Sequence, residues 1–245
     1  MKKKFVILSN PRTGSEYLVK LLEKHSSVFC MGEIFSIGPD GDEWNHSLYK
    51  KQKNPMGYLN KKYSETEKNI VGFKQISYWL SNSCFKGVED FIKQCIEEKY
   101  VFIHLTRRNF LAQYASFMIM NEQGLGHSEK TSSKISTIEL EPQLAYVNYR
   151  KWVYFDNKCH EILEKEKANY IHLEYEKDFD ENKYVKDKIF KFLQVPYEEI
   201  QDPLKRTNPF SIESIVTNYD DVVGYLKKKL IGKEKDSLFA EIITK

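Results

Sequence analysis

Residues 5–22, FVILSNPRTGSEYLVKLL, constrain the fold of this chain more than any other stretch. Phe5 to Leu8 are four consecutive apolar residues and predict a short buried strand. Ser9-Asn10-Pro11 ends that strand, since Asn-Pro favours a turn. Beyond the turn, Tyr17, Leu18, Leu21 and Leu22 recur at helical spacing. Thr13 or Ser15 is placed to cap the helix, and Gly14 lets backbone approach a ligand closely. A strand that feeds a helix through a Gly/Ser/Thr/Arg turn offers free N–H groups and a positive helix end to an anion. Arg12 adds a planar, permanently charged donor suited to phosphate or sulfate oxygens. The plainer alternative is a first βα turn of an ordinary α/β protein with Arg12 in solvent. The Walker pattern is absent, because its first Gly and its Lys are missing, which argues against a common ATPase or GTPase.

The rest of the chain alternates strands with helices. Strands are expected at 5–8, 28–31, 70–74, 100–105 and 170–173, and the run at 100–105 is apolar enough to be buried on both faces. Helices are expected at 88–96, after Phe110 through Met118, over 141–168 and over 189–193, with 212–226 continuing as helix. This order predicts a single α/β domain over 1–245, with a parallel sheet flanked by helices. Ligands of such sheets bind beyond the C-terminal ends of the strands. Glu33 ends the second strand there, Lys74 the third and Arg108 the fourth. Arg108 and Ser116, a little over two helical turns on, converge only if the long Arg reaches along the helix, and a single phosphate between them would justify that pairing. His104 reads as a core histidine. Residues 36–68 read as loop with short helical pieces, either a substrate wall or a surface excursion.

Composition narrows the partners. The 38 basic and 35 acidic residues leave a net charge of +3, too balanced to imply nucleic acid. Met1 to Lys4 is basic, but the apolar run after it is shorter than a signal peptide requires, and no stretch approaches a membrane span. Cys30, Cys84, Cys95 and Cys159 form no C-x-x-C pair and read as reduced thiols, which predicts a cytoplasmic protein. The histidines show no metal-binding spacing, so no metal is expected.

PRTGSEYL resembles the phosphosulfate loop of sulfotransferases, P-[KR]-[ST]-G-[ST]-x-[WYF]-L. LTRRNFLAQYAS resembles their 3′-phosphate motif, and its R-R-N-x-L-x-Q form is similar to the bacterial branch acting on carbohydrates. GEIF, VGFK, the Y-E strand end and KRTNP follow the family in order, although the longer R-K-G form of the late loop is absent. The resemblance implies a P-loop-NTPase-like sulfotransferase fold and sulfuryl transfer, without a metal, from PAPS (3′-phosphoadenosine 5′-phosphosulfate) to a sugar or glycolipid hydroxyl, releasing PAP. On that reading Arg12 and the N–H groups of Thr13, Gly14, Ser15, Glu16 and Tyr17 bind the transferring group. Arg108 and Ser116 hold the 3′-phosphate, and Lys205 or Arg206 closes over it. Glu33 is the implied general base, with Lys74 assisting and with His25 and His127 as competing bases, while Glu176 is assigned no chemistry. Two rivals stay open: a nucleotide or small-molecule kinase on a related anion loop, which needs a loop Lys and acidic Mg²⁺ ligands, and an inactive nucleotide-binding module.

Overall fold

The computed structural model describes residues 2–35, 54–82, 84–123, 137–179, 182–204 and 211–231. Five strands, β1 (Lys3–Ser9), β2 (Val28–Glu33), β3 (Ile70–Ile76), β4 (Tyr100–Thr106) and β5 (Tyr170–Glu174), form one sheet in the order β2-β3-β1-β4-β5. All the neighbouring pairs are parallel. Each predicted strand is present and runs one to three residues longer than its apolar core. At the C-terminal ends the extensions add Ser9, Glu33, Gln75, Thr106 and Glu174, polar residues on the side where such sheets bind ligands.

Because side chains alternate along a strand, β1 feeds two cores. Phe5 and Ile7 pack with Leu18 and Leu22 of α1 (Ser15–Lys24). Val6 and Leu8 face the other way, toward Phe91 and Ile92 of α3 (Val88–Glu97) and Ile162 of α5 (Pro142–Lys165). Between α1 and α3 lies α2 (Pro55–Ser64), opened by Asn54, whose Oδ1 accepts from Gly57 N at 2.8 Å. A third cluster joins α5 to α4 (Phe110–Gln123) through Phe110, Tyr114 and Trp152. After β5 come a single turn, α6 (Tyr175–Asp178), and then α7 (Asn182–Leu193), which covers the α1 face.

Gly72 of the VGFK segment has a packing reason. A Cβ on it would lie 2.5 Å from the Phe5 carbonyl oxygen and the Phe5 ring, so the Phe5 ring packs over β3 in the space a side chain at 72 would take. The expected helix over 212–226 is instead two, α8 (Ile212–Ile215) and α9 (Tyr219–Leu230). Val216 breaks the run by pairing with Ile138, and the Asn218 side chain bonds both Leu140 N (3.0 Å) and Leu140 O (2.8 Å).

With β1 central, the chain leaves it toward β2 on one side, while β4 lies on the other. The turn after β1 therefore opens at the switch point of the sheet, where open α/β folds form their crevice.

Candidate active site

The turn after β1 is braced from below. Asn10 Nδ2 donates to Trp152 O at 2.9 Å, and Ser77 Oγ lies 3.2 Å from both Ser9 O and Asn10 Oδ1. Gln113 Nε2 donates to Pro11 O at 2.7 Å. Thr13 Oγ1 donates to Asn10 O at 3.1 Å, so its hydroxyl is spent inside the turn. Arg12 and Gly14 both take left-handed backbone, with φ of 59° and 87°. Gly14 is the residue that opens α1, and no side chain caps it. Neither Thr13 nor Ser15 is the cap expected from the sequence, because the left-handed Gly14 starts the helix after Thr13 and leaves Ser15 inside it. The first N–H groups of α1 have no intrahelical partner and point out of its end. Glycine is required at 14 for a second reason, since a Cβ there would meet Tyr175 Cδ2 at 2.8 Å.

A buried carboxyl lies under this turn. Burial pushes Asp156 up to about 8, against the opposing pull of its bond to Asn10. Unfolded, the group ionises near 3.8. The folded state thus holds a proton that the unfolded chain loses, and stability falls as pH rises from about 4 to about 8. Asp156→Asn should remove that slope and raise stability by about 1–3 kcal/mol near the upper end of the range. Denaturant unfolding across the pH series measures it, and a variant less stable at every pH would mean that the carboxyl makes a bond the fold requires.

Arg12 reaches over α4. Its Nε donates to Ser116 Oγ at 3.0 Å, and Nη1 lies 3.6 Å from Met120 Sδ. Burial, then the neighbouring Arg107 cation, brings Arg12 down to about 10, and it stays charged at neutral pH. Arg107 links the two strand exits. It donates to Arg12 O at 3.0 Å, lies 3.3 Å from Glu176 Oε1, and its guanidinium sits 4.5 Å over the Tyr175 ring. Glu176 also accepts from Arg108 N (2.7 Å) and Asn109 N (3.2 Å). The β4 exit is therefore held by a carboxylate from α6, and Asn109 Oδ1 then caps α4 by accepting from Ala112 N at 3.0 Å.

The sequence brings Arg108 and Ser116 together around a phosphate, and in the structure Ser116 Oγ also accepts from Arg12 Nε. Arg108 Nη2 lies 3.1 Å from Glu174 Oε2 at the end of β5. Spacing along α4 does not determine which arginine reaches it: the β4 exit turns Arg108 toward β5, and the left-handed Arg12 projects across α4. Arg107, Gln113, Glu174 and Glu176 had no assigned role in the sequence. The adjacent pair Arg107-Arg108 is the signal available in the sequence, since successive residues leaving a strand point to opposite faces.

The opposite wall carries the acids. Lys74 Nζ lies 2.6 Å from Glu16 Oε2 and 2.9 Å from Glu33 Oε1, with only 6% of its side chain exposed. Burial works against the Lys74 ammonium, yet Glu33 and Glu16 outweigh it and hold the group above the ordinary lysine range. Glu33 meets Lys74 because β2 bulges at Gly32: Met31 pairs with Phe73, and Glu33, not Gly32, pairs with Lys74. In a regular strand Glu33 would fall on the other face.

Tyr17 contributes only backbone here. Its hydroxyl donates to Asp202 at 2.8 Å, and its ring packs edge-on against Phe179. His25 is buried beyond the far end of α1, about 15 Å of helix from the turn. Its Nε2 donates to Pro196 O (3.0 Å) and its Nδ1 accepts from Ser27 N (3.1 Å), so both ring nitrogens are engaged away from the crevice. His104 is fully buried, and desolvation followed by His172 keeps it far below the ordinary histidine range. His127, Lys205 and Arg206 lie outside the described residues. Among the described residues no three His, Cys, Asp or Glu side chains converge as a metal site, and no helix is long and apolar enough to cross a membrane.

No protein-family model and no curated protein matches the chain. Solved structures do. A sulfotransferase from Alicyclobacillus acidocaldarius superposes with a TM-score of 0.55 at 13% identity, over 94% of this chain and 96% of that one. The sulfotransferase domain from the curacin biosynthetic pathway superposes with a TM-score of 0.55 at 17% identity, over 88% of this chain and 82% of that one. The α/β architecture, with its five-stranded parallel sheet, is that of these sulfotransferases.

Proposed function

We propose that the protein is a sulfotransferase that moves the sulfuryl group of PAPS to a hydroxyl of a carbohydrate or glycolipid and releases PAP. One observation carries the reading: a carboxylate paired with a buried lysine, Glu33 with Lys74 at 2.9 Å, faces the same crevice as an arginine-bearing, uncapped helix N-terminus. The carboxylate can take up a proton, the helix end suits a phosphosulfate, and the sheet around them has the fold of sulfotransferases.

PAPS supplies a sulfuryl group already joined to a phosphate leaving group. Glu33 takes the proton of the acceptor hydroxyl as that oxygen bonds to sulfur. The bond from sulfur to the bridging oxygen breaks, and its electron pair stays on the 5′-phosphate. Arg12 and the N–H groups of residues 13–17 receive this developing charge from fixed positions, so little reorganisation is needed at the moment of transfer. Lys74 holds Glu33 on its line of approach. Arg108 serves the 3′-phosphate together with Ser116, by leaving Glu174 or by bridging to it, and Lys205 or Arg206 completes that end.

The first test is a thermal-shift comparison of PAP, ATP and AMP, since a ligand bound only by the folded state raises its stability. PAP is expected to give the largest shift. A shift with ATP and Mg²⁺ alone would move the reading to a kinase. Radiolabelled PAPS with a panel of sugars and glycolipids then identifies the acceptor. Arg108→Ala should weaken PAP by roughly ten- to hundredfold, the effect of removing a charged partner of phosphate, and should change AMP far less. Equal losses for the two nucleotides by calorimetry would remove the 3′-phosphate role.

A further inference from the structure

Glu16 occupies the second position of α1, in the turn whose N–H groups the proposed co-substrate would meet. A carboxylate there suits the helix dipole, but it repels any anion bound at the same end. Two cations answer it. Lys74 Nζ lies 2.6 Å from its Oε2, and Arg12 is stabilised by its charge. Lys74 is consequently divided, because its second bond, at 2.9 Å, goes to Glu33. Nearly complete burial makes each of these interactions stronger than it would be at the surface. A lysine given wholly to Glu33 would engage its carboxylate oxygens more fully and leave less of it open to the acceptor hydroxyl.

We propose, building on the sulfotransferase reading above, that Glu16 is a positioning residue: it draws Lys74 partly off Glu33 so that Glu33 can accept the acceptor's proton, and the same carboxylate opposes co-substrate binding. Its side chain thus acts on affinity and on turnover with opposite signs. The phosphosulfate-loop pattern leaves this position unspecified, and the acid at it here is what ties the anion turn to the base. A role confined to supporting the fold would lower affinity and turnover together.

Calorimetric titration of PAP into the full chain, the Glu16→Gln and Lys74→Met variants and the double variant tests the binding half. Turnover with radiolabelled PAPS and the acceptor found by the panel tests the other. Glu16→Gln should bind PAP roughly three- to tenfold tighter, the scale of one screened charge a few ångströms from a phosphate. Its kcat at saturating PAPS should fall about tenfold or more, with KM for PAPS falling as well. Lys74→Met should weaken PAP, and adding Glu16→Gln in that background should gain more than it does alone, because the carboxylate is then uncompensated. Weaker or unchanged PAP binding by Glu16→Gln, or unchanged turnover, overturns the inference alone. Failure of the unaltered protein to prefer PAP over AMP overturns the sulfotransferase reading, and the inference with it.

Discussion

Glu33→Gln is expected to lower turnover at saturating PAPS by about 10²–10⁴-fold, the range typical for loss of a positioned general base, while PAP affinity changes little. The amide keeps the size and polarity of the side chain and can still accept a hydrogen bond from Lys74, but it cannot take up a proton as a carboxylate does. The bulge that pairs Glu33 with Lys74 lies on the backbone, so the variant side chain should occupy the same place. The histidine competitors divide on structural grounds. Both ring nitrogens of His25 are bonded at the far end of α1, and His25→Asn should act on stability more than on turnover. His127→Asn should retain most activity. Initial rates on the best acceptor, with calorimetry of PAP alongside, measure the effect. Near-normal turnover by Glu33→Gln would remove it as the base and leave His127 as the candidate to pursue.

The strand-turn-helix at 5–22 was legible because its signals are local: an apolar run, an Asn-Pro break and a helical repeat. The other four strands were legible for the same reason. Glu33 and Lys74 could be placed at neighbouring strand ends, but their pairing could not, since it depends on a bulge that shifts register by one residue. The sequence marks Glu16 only by its N–H group in the anion turn. Its side chain matters because β3 lies next to β1 and brings Lys74 up beside the first turn of α1, a long-range fact with no local signature. That Arg12 is the arginine bonded to Ser116 has a related origin. Separation along a helix limits which residues can share a face, but rotamers and competing carboxylates decide which long side chain arrives, and Glu174 and Glu176 come from a part of the chain some seventy residues away.

Arg12→Ala should reduce turnover by about 10²–10³-fold, the loss that follows removal of one preorganised donor to a developing oxyanion. The preorganisation is visible in the site. Arg107 anchors the Arg12 carbonyl, Gln113 anchors Pro11, and Ser116 takes Nε, so the guanidinium is directed before any substrate arrives. Its pull to about 10 by burial and by Arg107 leaves it fully charged at neutral pH and increases the interaction that a new negative charge nearby would gain. Alanine keeps the left-handed backbone that residue 12 already adopts at φ 59°, so the truncation tests the side chain with the same turn in place. Arg12→Lys restores the charge without the planar fork and should recover turnover to within about tenfold of the parent protein. Thermal unfolding of both variants separates a damaged turn from a lost donor, because the anchors beneath the turn are untouched and both melts should stay close to that of the parent. If Arg12→Ala raised KM for PAPS but left kcat at saturation unchanged, Arg12 would be a binding residue only, and stabilisation of the bridging oxygen would pass to Lys74 and the N–H groups of α1.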